Sequence, residues 1–125
     1  MAIPQTKQEL LIQVKKDKIE YIKCEFIDIN GRSVGKLVPV RHLSNLIDNG
    51  LYMVNITWFY TPNWTPYTDL QPFGNVLTYP YIDTYTVLSH IKTNKIARIM
   101  FYPKEFKVCP RYLLLKQLKK LKDEY

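Results

Sequence analysis

The sequence predicts an α+β domain, a small mixed β-sheet with helices packed on one face, and three observations carry that expectation. Ile22, Cys24 and Phe26 alternate with Lys23 and Glu25, so an extended segment has one apolar face, and Asn30-Gly31 turns it back into a second strand. Near both ends of the chain, apolar residues recur at helical spacing with lysines on the opposite side. Between those ends, short runs of β-branched and aromatic residues are separated by turn residues.

Residues 4–16, extending to about 17, form the first expected helix. Pro4 suits an N-terminal turn, and Leu10, Leu11 and Val14 make one apolar stripe. The hairpin follows, with a first strand over 22–26 and a return over 33–38. Its turn uses Asn30 and Gly31, both tolerant of positive φ, and Pro39 stops the ladder for want of an N–H. Val40, Leu43, Leu46 and Ile47 then recur at three- and four-residue spacing, and Asn49-Gly50 supplies a left-handed stop to a short second helix. Residues 51–60 read as a third strand. Pro62, Asn63, Trp64, Thr65 and Pro66 break it and begin a long loop reaching about Asn75. Strands are expected over 76–81 and 96–102, with a further extended piece over 87–91 joined to the last strand by Thr93-Asn94-Lys95. Residues 106–108 suit a short edge. Pro110 then opens a third helix, in which Leu114, Leu118 and Leu121 fall at i, i+4 and i+7 as a stripe offered to the sheet. A β-grasp arrangement is the preferred topology.

At 125 residues the chain is one domain on length, able to bury about two-thirds of its unfolded surface. A composition 46% hydrophobic and 23% charged excludes general disorder. No apolar run approaches the roughly 20 residues that cross a bilayer, and residues 1–5 lack the features of a secretory signal. The expectation is a cytoplasmic protein with no membrane partner. Cys24 and Cys109 are isolated, as are His42 and His90, which argues against a disulfide scaffold or a zinc site. The net charge of +7 invites an anionic partner such as nucleic acid. Against it, the lysines cluster at 7, 15, 16 and 18 and at 116, 119, 120 and 122, on the solvated sides of amphipathic helices.

Phosphoryl or ligation chemistry needs metal ligands, a phosphate cradle and basic groups aimed at developing charge. The glycines are Gly31, Gly35, Gly50 and Gly74, with no glycine-rich loop among them. Asp28, Asp48, Asp69 and Asp83 are single carboxylates at turns or helix ends, better suited to local backbone bonding than to metal. The chain is expected to carry no catalytic residue, no metal site and no cofactor of its own.

Three blocks of sequence resemble the N-terminal domain of the glutamine synthetase family, in particular its type I and lengsin-like branches. The first, residues 25–39, is similar to that family's strand, Asp-x-x-Gly turn, basic return strand and Val-Pro. The second is Asp83-Thr84-Tyr85-Thr86, similar to Pro-Asp-x-x-Thr and followed by Ala97-Arg98-Ile99-Met100; an alternative register runs through Asn75 and Thr78. The third, Cys109-Pro110-Arg111-Tyr112-Leu113-Leu114, looks like the Pro-Arg-x-x-Leu that leads into the catalytic domain.

The resemblance implies a β-grasp domain over 1–108, and over 109–125 the start of a helix toward a catalytic domain that this chain lacks. It implies subunit contacts in a homo-oligomer and one wall of an inter-subunit active site, with catalytic-domain subunits as partners. ATP and Mg or Mn belong only to a full-length parent that joins ammonia to glutamate. The family's ammonium-site Asp has no counterpart here. Counting from Gly50 puts Val54 at its position, and counting back from Asp69 puts Asn55 there. Asn55, the substrate-binding candidate, keeps a carbonyl oxygen but no negative charge. Trp58, Trp64 and Phe73 in the long loop are the interface candidates. A lengsin-like structural protein without ligase activity is the alternative. A basic nucleic-acid module stacking bases on Trp58 and Trp64 is the third reading.

Overall fold

The computed structural model describes residues 3–54, 74–103 and 109–124. Helix α1 (Lys7–Lys16) starts later than Pro4 because Thr6 caps it. Glu9 N–H donates to Thr6 Oγ1 at 3.2 Å, and Thr6 N–H donates to the Glu9 carboxylate at 3.3 Å. This reciprocal pair satisfies two amides that the first turn leaves open. Pro4 belongs to the lead-in and is buried there. Helix α1 buries Leu10 and Val14.

Strands β1 (Tyr21–Ile27) and β2 (Ser33–Pro39) pair antiparallel, Phe26 opposite Val34 and Tyr21 opposite Pro39. Their turn differs from the expected pair of left-handed residues. Gly31 has φ 77, while Lys18 is the non-glycine residue at positive φ among those described, so Asn30 keeps an ordinary backbone. Asp28 N–H donates to Arg32 O and Gly31 N–H to Asp28 O, each at 3.0 Å. A loop of residues 29–31 ending in one left-handed glycine fits the right-handed twist of the flanking strands.

A single 3-10 turn (Val40–His42) leads into α2 (Leu43–Asn49), which Gly50 ends at φ 73 as its sequence requires. Strand β3 (Leu51–Val54) follows. Residues 55–60 of the expected third strand lie outside the described residues, as do the loop to residue 73 and the edge at 106–108.

Strand β4 (Asn75–Val87) is one long strand where the sequence suggests two pieces. Pro80 does not interrupt it, because Thr78 is its last residue paired with β3 and Pro80 is paired on the β5 side, opposite Phe101. A residue without an N–H is tolerated where one flank of a strand is unpaired. Beyond Tyr81 the register shifts and resumes at Thr86. Thr84 fills the irregularity: its hydroxyl donates to Tyr81 O at 2.6 Å and accepts from Met100 N–H at 2.9 Å. Residues 88–91 are therefore part of the connection and not a strand.

Strand β5 (Ile96–Pro103) lies parallel to β1 and antiparallel to β4. The five-stranded order β2-β1-β5-β4-β3 puts the first and last strands side by side at the centre, as in a β-grasp sheet. The inward residues Ile22, Cys24, Phe26, Ile99 and Phe101 meet Leu10, Val14, Leu43 and Leu46 of the helices. The Phe26 and Phe101 rings pack at 5.7 Å with a 51° tilt.

Helix α3 (Pro110–Glu124) departs from the expected covering role. Leu114, Leu118 and Leu121 are 59%, 45% and 52% exposed, so the helical spacing was right and its core-facing assignment was not. Its start is anchored. Cys109 is buried just before it, and Arg111 lies over the Tyr81 ring at 4.7 Å.

Candidate functional site

Side chains alternate across a pleated strand, so the face opposite the helices is legible from the register. On β3 and β4 it carries Tyr52, Val54, Asn75, Leu77, Tyr79 and Tyr81. On β5 and β1 it carries Arg98, Met100, Tyr102, Lys23 and Glu25. The aromatic end is ordered by mutual contact: Tyr81 and Tyr102 stack at 4.0 Å, and the Arg111 guanidinium covers Tyr81. Burial, then the neighbouring Tyr102, raises the Tyr81 phenol above its ordinary range, and the nearby Arg111 works against that shift. The Tyr81 phenol stays a neutral hydrogen-bonding group at physiological pH.

At the other end, Glu25 is buried to 5% exposure on the face that alternation assigns to solvent. It accepts from Lys23 at 2.6 Å and Ser33 at 2.7 Å, with Arg98 at 3.7 Å. Burial opposes its charge, yet the hydrogen bonds and cations around it win and its carboxyl lies below its usual range. In the sequence Glu25 reads as one of the polar, solvent-side residues of the first strand. Its only local signal was a glycine at the facing position: Gly35 is its cross-strand partner.

Asp28 does what a turn aspartate is expected to do. Its Oδ1 accepts from Asn30 and Arg32 N–H at 2.9 and 2.8 Å, and its Oδ2 accepts from Arg32 Nε at 2.8 Å. Asp48 pairs with Lys7 on the helix surface. Asp83 and Thr86 are exposed, near the irregularity of β4. The alternative pair is better held. Thr78 is fully buried and donates to Leu51 O at 2.6 Å, and Asn75 stands opposite Val54. Val54 and Asn75 thus close the base of the 55–73 connection, at the edge of the tyrosine-bearing face. The candidates Asn55, Trp58, Trp64 and Phe73, with Asp69, lie outside the described residues.

Cys24 is fully buried in the core, and burial pushes its thiol up to about 12, which makes it an inert packing group. Among the described residues no cluster of three or more His, Cys, Asp or Glu side chains is placed to hold a metal ion. Among those residues, too, no helix is long and apolar enough to cross a membrane.

The same fold recurs within larger solved proteins. This chain superposes on apo GmaS without ligand with a TM-score of 0.66 at 20% identity, over 84% of this chain and 24% of that one. On a GmaS/ADP complex the TM-score is 0.68 at 20% identity, over 92% and 26%. On a novel glutamine synthase homolog it is 0.74 at 15% identity, over 85% and 27%. The chain therefore spans about a quarter of the length of these solved chains. At such identities the likeness is one of fold. No protein-family model matches the sequence, and no curated protein does.

Proposed function

We propose that this chain is the N-terminal β-grasp domain of a glutamine synthetase-like protein of the cytoplasm, in which it supplies subunit contacts and one wall of an inter-subunit active site. The observation that carries the reading is the fold likeness, including one to a glutamine synthase homolog, over most of this chain and only a fraction of the longer ones. Two features of the structure support it. The leucines of α3 are exposed, as suits a helix that continues into another body of protein. The face bearing Tyr52, Tyr79, Tyr81 and Tyr102 ends at Val54 and Asn75, which root the connection carrying Asn55, Trp58, Trp64 and Phe73. Residues 109–125 are then the start of the linker helix, and residues 1–108 the β-grasp domain.

The chain's part in catalysis is positional. Asn55 presents an amide to the ammonium side of a neighbour's site, and the loop aromatics pack on that neighbour. ATP, Mg or Mn and the reacting carboxylate are held by the partner. The purified chain, given glutamate, ammonia, ATP and magnesium, releases no phosphate above background. Mixed with a glutamine synthetase-like polypeptide lacking its own N-terminal domain, it forms a stable complex on size exclusion. Failure to form that complex, or magnesium-dependent phosphate release by the chain alone, refutes the proposal. The same mixture separates the two versions of the parent. Phosphate release by the complex supports a ligase, and a silent complex supports a lengsin-like structural protein.

A further inference from the structure

We infer that Asn30 is a site of spontaneous succinimide formation, at which the native chain converts to aspartyl and isoaspartyl forms, while Asn49, also followed by glycine, is protected. This stands apart from the functional reading above and its test does not depend on it. In the reaction the Gly31 main-chain nitrogen, its proton lost to solvent base, attacks Cγ of the Asn30 carboxamide. The Cγ–Nδ2 bond breaks, and ammonia leaves with a proton. Water then opens the five-membered ring at either carbonyl, giving an aspartyl or an isoaspartyl link. No electrons are exchanged, and water is the only co-reactant.

The attack needs room on the far side of the following residue and a backbone that can swing. Position 30 has both. Asn30 and Gly31 are exposed at the tip of the β1–β2 loop, and nothing lies within 4 Å of where a Cβ on Gly31 would stand. The Gly31 N–H is held by Asp28 O at 3.0 Å, and the Asn30 and Arg32 N–H groups by the buried Asp28 carboxylate, but these bonds lie outside the 21–27 and 33–39 ladder, so opening them leaves the strand register intact.

Position 49 has neither. The Gly50 N–H is held by Leu46 O at 2.9 Å. A Cβ on Gly50 would lie 2.5 Å from Thr78 O and 2.9 Å from a Leu77 methyl, so the Gly50 backbone is packed against β4 with little room to swing. Freeing that nitrogen opens the end of α2, which buries Leu46. Conversion at position 30 reaches beyond the tip. The isoaspartyl link adds a main-chain carbon between the two amides that Asp28 Oδ1 accepts, and brings a new carboxylate toward a buried one.

The test is to incubate the full chain in mildly alkaline buffer, digest it with trypsin, and label isoaspartyl groups with isoaspartyl methyltransferase. Peptide 24–32 reports on Asn30, and peptide 42–92 includes Asn49. The native chain is expected to label severalfold faster in the first peptide, and the urea-unfolded chain to label equally at both asparagines. Equal labelling in the native chain overturns the inference, as does native labelling at position 30 far below the unfolded rate. Asn30→Gln, whose longer side chain closes a ring more slowly, is expected to keep the cooperative melt and lose most of the label in peptide 24–32. Unchanged label in that variant overturns the assignment.

Discussion

Phe26 is fully buried, its ring packed against Phe101 at 5.7 Å between the helices and the centre of the sheet. Phe26→Ala removes a ring from a site walled by sheet and helix backbones that collapse only partly, and such truncations cost about 3–5 kcal/mol. A domain of this size has a total stability on the order of 5–15 kcal/mol, so the truncation removes a large part of that margin. With a urea m-value of about 2 kcal/mol/M, the loss moves the midpoint down by about 2 M. The assay is urea titration followed by far-UV circular dichroism, with Ile12→Ala as the control. Ile12 is 67% exposed on α1, and its truncation is expected to change stability by less than about 0.5 kcal/mol. A loss below about 1 kcal/mol for Phe26→Ala, or equal losses for both variants, would falsify the inward register of β1 and with it the packing described above.

Gly35→Ala places a methyl group against the Cys24 carbonyl oxygen. Because that atom is backbone, relief must come from shifting strands, and a loss of about 1–3 kcal/mol is expected; an unchanged urea midpoint would show that β2 approaches β1 less closely. The pH dependence turns on Glu25, whose carboxyl is depressed in the folded state below an unfolded value of about 4.3. Its contribution is full above the unfolded value and is lost as pH falls through the lower folded one, because the unfolded chain binds the proton first. Glu25→Gln should flatten the acid limb of a stability–pH curve, and an identical limb in the variant rules Glu25 out as its source. Finally, Leu114→Gln, Leu118→Gln and Leu121→Gln together should leave the thermal midpoint of the domain nearly unchanged while abolishing hydrophobic-dye binding at α3. A clear drop in the midpoint would mean that these leucines are covered by the domain itself.

Much of the fold was legible in local pattern. The alternation from Ile22 to Phe26, the return strand ended by Pro39, and the stop at Asn49-Gly50 all depend on periods and φ preferences that act over a few residues, and each appears where expected. The Thr6 and Glu9 capping pair was present in the sequence as a Thr-x-x-Glu signal, and the Pro4 start overrode it. The candidate site was legible only as a loop rich in aromatics. Which described residues frame that loop follows from the β3–β4 register, and no local rule sets that register.

By itself, then, the sequence determined most of the described element types, the apolar face of β1 and the α+β class, because these follow from side-chain period and backbone restriction along a short stretch. Tertiary structure alone decided three other things. Glu25 became a buried carboxylate because β2 and β5 bring Ser33 and Arg98 beside it, partners that no spacing rule within β1 can supply. Strand β4 runs through Pro80 because pairing with β3 ends at Thr78, which frees one flank of the strand. The α3 stripe is helical by its own spacing, but whether leucines are covered depends on where the rest of the chain lies. Here α1 and α2 already occupy the apolar face of the sheet, and the leucines of α3 remain in solvent.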